Sequence, residues 1–278
     1  MTIRNIEEAD IPAGLSLCRH AQWNQVARDW ELFLKLSPDG CKVAEDDKVV
    51  GTVTTLNYEN RFSWISMVLV DPEYQQQGIG TNLLNEALRL LQHQETIKLD
   101  ASPAGRNLYL KMNFIEEFPL IRMIRDKIEG KIKTHSSRPL ETNDLYRISH
   151  YDAVIFGANR QPLLQWLFEG AHQIGFISEV ENEISGFCLG RKGEHYLHIG
   201  PVVSDNTETA KDLVTAALNK CTGQAVMLDI PLFDLNWKDW LVSIGFEEQR
   251  PFYRMYRGLN RFPGFPEKQY AIAGPEFG

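Results

Sequence analysis

Cysteine is scarce and scattered. The four thiols, Cys18, Cys41, Cys188 and Cys221, form no C-x-x-C pair, which argues against a zinc knuckle or a disulfide framework and for reduced, mostly buried side chains. Long apolar runs are missing too: nothing uncharged approaches the ~20 residues that span a bilayer. The opening "MTIRNIEEADIP" lacks the apolar centre of a signal peptide, so the expected compartment is the cytoplasm and no membrane partner is expected. Positive charge is in deficit, with 29 Lys and Arg against 37 Asp and Glu, a formal net charge of -8 and a pI near 5.4. Because nucleic-acid affinity rests on clustered Lys and Arg, this balance disfavours DNA or RNA and suits a small molecule bearing an amine. His195 and His198 in "EHYLHIG" are spaced so that a strand would send them to opposite faces, and they read as structural histidines with no metal between them.

What is present is ordinary globular composition, 43% hydrophobic and 24% charged over 278 residues, which sets disorder aside and allows one or two cores in a monomer or homodimer. The chain also matches itself weakly when slid along its own length. "IRNIEEADI" at 3–11 faces "SRPLETNDL" at 137–145, and "DKVVGTV" at 47–53 faces "ENEISGF" at 181–187. "IKLD" ending at Asp100 faces "VMLD" ending at Asp229, and "LYLKMNFIEEF" from Leu108 faces "WLVSIGFEEQR" from Trp240. The polar stretch "DKIEGKIKTHSS" between them reads as an exposed connection or a shared edge strand, which divides the chain into 1–133 and 134–278. In the first half, helical patterning over 9–36 precedes three strands, "CKVAED", "KVVGTVTTLNY" and "FSWISMVLV". A helix follows from Gly78, with Ile79, Leu83, Leu84, Ala87, Leu88 and Leu91 on one face; strand "IKLD", helix "GRNLYLKM" and strand "FIEEFPLIRMI" complete an α+β mixed sheet covered by helices.

The informative stretch is "YQQQGIG", residues 74–80, between the third strand and the long helix. A glycine loop that opens a helix presents free N–H groups and the positive end of the helix dipole, which is a site for phosphate. A Walker loop requires Lys after the last glycine, and Thr81 and Asn82 stand there. A Rossmann turn wants a third glycine where Leu83 stands, although Asp100 imitates its ribose-binding acid; seven residues, "DPEYQQQ", also separate strand from glycine. NAD binding remains a competing reading on those grounds.

"VLVDPEYQQQGIGTNLL" resembles the coenzyme A pyrophosphate motif of the GNAT acetyltransferase superfamily, R/Q-x-x-G-x-G/A, and "NLYLKMNF" resembles that superfamily's later "LYEKLGF" signature. The match covers about residues 3–125, and the second half looks like a degenerate copy, giving two tandem GNAT folds. The resemblance implies acetyl-CoA as cosubstrate and transfer to the amine of a small molecule. It implies phosphate contacts from Gln75, Gln76, Gln77, Gly78, Ile79, Gly80 and Thr81, and backbone pairing of Val68, Leu69 and Val70 with the pantetheine arm. It also implies a further coenzyme contact at Asn107 and Tyr109 as the general acid to the departing sulfur. No basic residue stands in the loop, so phosphate would rest on backbone amides and the dipole. Asn113 replaces the usual signature glycine, tolerable because asparagine enters the left-handed region readily. "WNQVARDW" places Trp23, Asn24, Gln25 and Asp29, with Trp30, in the region that lines the acceptor in the family; two core tryptophans and a solvated aspartate read equally well. Asp29, Glu45, Glu59 and Asp100 are all candidates for a general base.

At the matching offset of the second half, Lys211 and Leu213 fall opposite Gly78 and Gly80, and Leu241 opposite Tyr109, so one coenzyme site per chain is expected. Residues from "DAVIFGANR" are expected to wall the acceptor pocket. The tail "GLNRFPGFPEKQYAIAGPEFG", rich in Gly, Pro and aromatics, is expected to lie pinned on the body without regular structure. A non-catalytic acyl-CoA sensor or scaffold is the alternative from another class.

Overall fold

Short apolar strands with turn residues between them leave rows of backbone N–H and C=O that only pairing can satisfy, and here one sheet takes them all. In the computed structural model, which describes residues 1–127, 130, 134 and 136–278, thirteen strands join a single mixed sheet. The first half contributes β1 (Thr2–Asn5), β2 (Lys42–Glu45), β3 (Val49–Tyr58), β4 (Phe62–Val70), β5 (Thr96–Ala101) and β6 (Ile115–Arg125). The second contributes β7 (Arg138–Pro139), β8 (Phe176–Val180), β9 (Glu183–Lys192), β10 (Leu197–Ser204), β11 (Val226–Pro231), β12 (Glu247–Gly258) and β13 (Gln269–Ala271). Among the described residues eight α-helices cover it: α1 (Ile11–His20), α2 (Ala27–Leu36), α3 (Ile79–Leu90), α4 (Pro103–Lys111), α5 (Leu145–Phe156), α6 (Gln161–Ala171), α7 (Thr207–Leu218) and α8 (Leu235–Ser243).

The strand order β1-β2-β3-β4-β5-β12-β6-β11-β10-β9-β8-β7 contains an exchange. The last long strand of each half does not close its own half: β12 lies against β5, and β6 lies against β11. The two visitors then pair with each other at the centre. Only β4–β5 and β10–β11 run parallel along that path, each for two residue pairs. Half of the polar stretch 126–137, expected to be a connection or edge strand, falls outside the described residues.

The internal repeat is visible as chemistry. Arg4 holds Asp10 at 2.7 Å and Glu45 at 2.8 Å, while Arg138 holds Asp144 at 2.7 Å and Glu179 at 3.0 Å. Asp10 and Asp144 each accept the N–H three residues back, of Glu7 and Glu141, at 2.9 Å. The aligned aspartates Asp100 and Asp229 each receive a bidentate arginine from the other half's last long strand, Arg254 and Arg122 respectively, at 2.7 and 2.8 Å.

Most elements follow the sequence periodicity. Ile79, Leu83, Leu84 and Ala87 of α3 are buried and Asn82, Asn85 and Arg89 are exposed, as the spacing requires. The helix expected over 9–36 is broken, because Gln22 adopts φ 54° and residues 22–26 cross between α1 and α2. β1 has too short an apolar pattern to announce itself. The tail corrects another expectation: residues 269–271 form β13, with Ala271 opposite Val202 of β10 and Ile272 N–H on Asp229 O at 2.9 Å. Phe277 is fully buried and stacks on Phe33 at 5.2 Å between ring centres. Full burial of such a side chain contributes about 1.5–3 kcal/mol, enough to hold a segment with little other regular structure. All four cysteines are buried and unpaired. Among the described residues no helix is long and apolar enough to cross a membrane.

Candidate active site

β4 carries one residue more than β3 between the pairs Thr52–Leu69 and Thr54–Ser66, a bulge at which Met67 takes φ 51°. Thr52 pins it by donating its hydroxyl to Met67 O at 2.8 Å. The bulge bends β4 away from β5, whose parallel pairing ends at Trp64–Lys98. Beyond that point the β5-facing backbone of residues 65–70 has no strand partner, and a cavity of about 950 Å³ opens between the strands.

One end of the cavity is the glycine loop. Asp71 fixes its entry, accepting Glu73 N–H at 3.0 Å and Lys48 Nζ at 3.0 Å, and the Lys48 ammonium holds that carboxyl below the usual range. Gly78 caps α3 at φ 83°, a left-handed conformation that a side chain disfavours. Gly80 is conformationally ordinary, and a Cβ there would meet Val70 at 3.5 Å, normal contact. Ser102, Asn206 and Asp234 cap α4, α7 and α8 with their side chains, but α3 has no such cap. Among the described residues no acceptor meets the N–H groups of Gly78, Ile79, Gly80 or Thr81. Four donors at the positive end of a helix dipole face the cavity, and that is a seat for phosphate.

Tyr109 of α4 lies on the wall, buried, with its ring edge-on to Phe114 at 5.8 Å. Burial pushes its hydroxyl above the ordinary phenol range, so it is protonated at neutral pH. The far wall combines Trp23 and Gln25, from the break between α1 and α2, with Arg122, Arg250, Phe252 and Glu276.

Two family profiles match the chain: the Acetyltransferase (GNAT) family over residues 3–114 and the Acetyltransferase (GNAT) domain over residues 148–271. The chain belongs to the GNAT family, as two GNAT domains in tandem. It is 26% identical over 259 residues to the holothin acyltransferase of Pseudoalteromonas sp. (strain SANK 73390), spanning 92% of this chain and 87% of that one. It is 24% identical over 257 residues to the N-acetyltransferase YitH of Bacillus subtilis (strain 168), itself uncharacterized, spanning 87% and 86%. Among solved folds, a candidate acetyltransferase from Pyrococcus horikoshii superposes with a TM-score of 0.81 at 24% identity, covering 100% of this chain and 95% of the other. A tandem GNAT protein from the clavulanic acid biosynthesis pathway gives 0.63 at 13% identity, covering 92% and 97%.

GNAT proteins use acyl-CoA, and the residues present fit one: four free N–H groups for phosphate and an unpaired strand edge for an extended amide-bearing arm. Val68, Leu69, Val70, Gln75, Gln76, Gly78, Ile79, Gly80 and Thr81 all line the cavity with Tyr109. Gln77 does not; its amide turns back to Glu73 O at 3.4 Å. Asn107 is exposed on α4, off the cavity. Asn113 takes φ 63°, the left-handed conformation expected of it.

Of the residues expected to line the acceptor, only Trp23 and Gln25 reach the cavity. Asn24 is a clamp between the halves, accepting His195 and Tyr196 N–H at 2.9 Å and donating to Tyr196 O at 2.9 Å. His195 therefore belongs to a turn, not to the strand expected of it. Asp29 is fully buried between Val26 N–H and Arg191, and Trp30 is buried in the core. The candidate bases are committed elsewhere: Glu45 to Arg4, Glu59 to Asn159 N–H, and Asp100 to Arg254, although Asp100 does touch the cavity. "DAVIFGANR" walls nothing here, since Asp152 and Arg160 pair with each other in the core; the second domain's contribution is Arg250, Phe252, Pro275 and Glu276.

The second domain repeats the bulge: two residues of β10, 200 and 201, stand against one of β9, Leu189, between the pairs Ile199–Gly190 and Val202–Cys188. Its slot, however, is closed twice over. Eight residues, 71–78, link β4 to α3, but only two, 205–206, link β10 to α7, so Gly78 corresponds to Asn206 and not to Lys211. The loop is deleted, not merely substituted. Between β10 and β11, where the first domain is open, lies β13. The counterpart of Tyr109 is the buried Leu241, as expected; Phe114 and Phe246 donate N–H to these two residues' carbonyls at 3.1 and 3.0 Å.

Proposed function

We propose that this chain transfers an acyl group, acetyl in the simplest case, from acyl-CoA directly to the amine of a small molecule, at one centre in its first GNAT domain. The observation that carries this is the cleft between β4 and β5, which joins an uncapped helix N-terminus, a free strand edge and a protonated tyrosine in one cavity. The holothin acyltransferase, similar over most of its length, supports acyl transfer as the reaction class. The coenzyme would supply a thioester activated towards nitrogen. The N–H groups of residues 78–81 would hold its phosphates, and the open edge of β4 would fix its arm and present an N–H to the carbonyl oxygen. As the C–N bond forms and the C–S bond breaks, Tyr109, protonated at neutral pH, would hand its proton to the departing sulfur, a step contributing about 10²–10⁴-fold. The proton shed by the amine would pass to solvent, from which the phenol is restored.

Calorimetric titration with acetyl-CoA should show one site per chain. Tyr109→Phe should keep that affinity while turnover on an amine panel falls by about 10²–10⁴-fold. Binding at two sites, or none, would overturn the assignment, and undiminished turnover would remove Tyr109 from the chemistry.

A further inference from the structure

The acceptor wall holds an arginine without a carboxylate partner among the described residues. Arg250 stands opposite Arg122 in the β12–β6 register, and the two guanidinium groups each lie 5.2 Å from the ring of Phe252. The neighbouring buried arginines are committed: Arg122 to Asp229, Arg254 to Asp100, and Arg191 to both Asp29 and Glu276. Among the described residues Arg250 alone of these four has neither a carboxylate within ion-pair distance nor a hydrogen bond, and its Nε is buried without a partner. Nearby, the carboxamide of Gln25 lines the same cavity with a buried, unpartnered Oε1.

Resting on the acyltransfer reading, we infer that the acceptor is an amino carboxylic acid, its carboxylate received by Arg250. A guanidinium offers N–H groups in a planar fork that matches a carboxylate, and a half-buried cation without an anion is short of stabilisation until something supplies one. Burial has already lowered this arginine to about 10, so it remains charged at neutral pH while short of counter-charge. A single free guanidinium suits a monoanion. Glu276 on the same wall and the neutralised Arg122 disfavour a phosphate dianion.

The test compares kcat/KM for α-amino acids with that for the same compounds as carboxamides, in wild type, Arg250→Gln and Arg250→Lys, with acetyl-CoA affinity measured on each. Wild type should prefer the acids by about 10- to 100-fold, the worth of a charge-assisted hydrogen-bond pair. Arg250→Gln should bring the ratio close to one, and Arg250→Lys should recover part of it. A wild type indifferent to the carboxylate, or an Arg250→Gln variant that keeps the ratio, overturns the inference. So does a loss of acetyl-CoA affinity in Arg250→Gln, which would give the arginine to the coenzyme. If no acceptor is acylated, the acyltransfer reading fails, and Arg250 is judged by binding alone. N-acetyl amino acids titrated into the protein saturated with coenzyme A should then bind more tightly than their amides only where Arg250 is intact; equal binding overturns the inference.

Discussion

His198 is fully buried on β10, 3.4 Å from an Asp229 oxygen that already serves Arg122, and neither ring nitrogen has a hydrogen bond. Burial lowers its pKa to about 3, against the ordinary 6.5. Between those values the unfolded chain binds a proton that the folded chain refuses, so the stability it contributes is present above pH 6.5 and is lost as pH falls towards 3. His198→Gln should therefore flatten the acid limb of stability. Comparing urea unfolding at pH 7 and 4.5, wild type should lose about 2–3 kcal/mol more than the variant; equal losses would show that another group drives the limb. Residues at this scale were legible where their partners are close in sequence. Gly78 and Tyr109 announce themselves by local spacing, whereas Asn24, Asp29 and Arg250 do not. Their surroundings, Tyr196, Arg191 and the β6 face, come from the other half of the chain.

At the scale of elements, α3 separates two roles for its glycines. Gly78 answers a backbone demand, and Gly80 leaves room for whatever lies over the helix end. Gly78→Ala should cost about 1–2 kcal/mol of stability, the ordinary penalty of a left-handed residue. Gly80→Ala should melt like wild type yet weaken acetyl-CoA by about tenfold, by adding a methyl where backbone must meet phosphate. Thermal melts and calorimetry on both variants check this, and an unaltered affinity in Gly80→Ala would move the phosphate off the helix. Periodicity carried most strands and helices of the first half because each buries one face. It did not carry β1, which is only four residues, or β13, whose strand state is imposed by β10 and β11 and not by its own composition.

For the whole molecule the decisive feature is the exchange of β6 and β12. Each half leaves its centre to be completed by the other, locked by Arg254–Asp100 and Arg122–Asp229, both buried. The repeat was readable from the sequence, since each half follows the same order of landmarks; the exchange was not, because nothing local distinguishes a strand that returns home from one that crosses. Residues 1–127 and 134–278 made separately should fail to give cooperative unfolding, and made together they should recover it along with acetyl-CoA binding. A first fragment that folds and binds alone would show the crossing to be dispensable.

The plugged slot of the second domain sets a condition on redesign. Grafting the eight-residue loop 71–78 in place of 205–206 would restore a helix mouth but not a passage, because Tyr270, Ala271 and Ile272 already fill it. Those residues also lead to Pro275 and Glu276 on the wall of the first domain's cavity, so clearing the second domain's slot would dismantle part of the first domain's cavity. The chain is thereby committed to asymmetry: its own tail closes one slot and walls the cavity of the other.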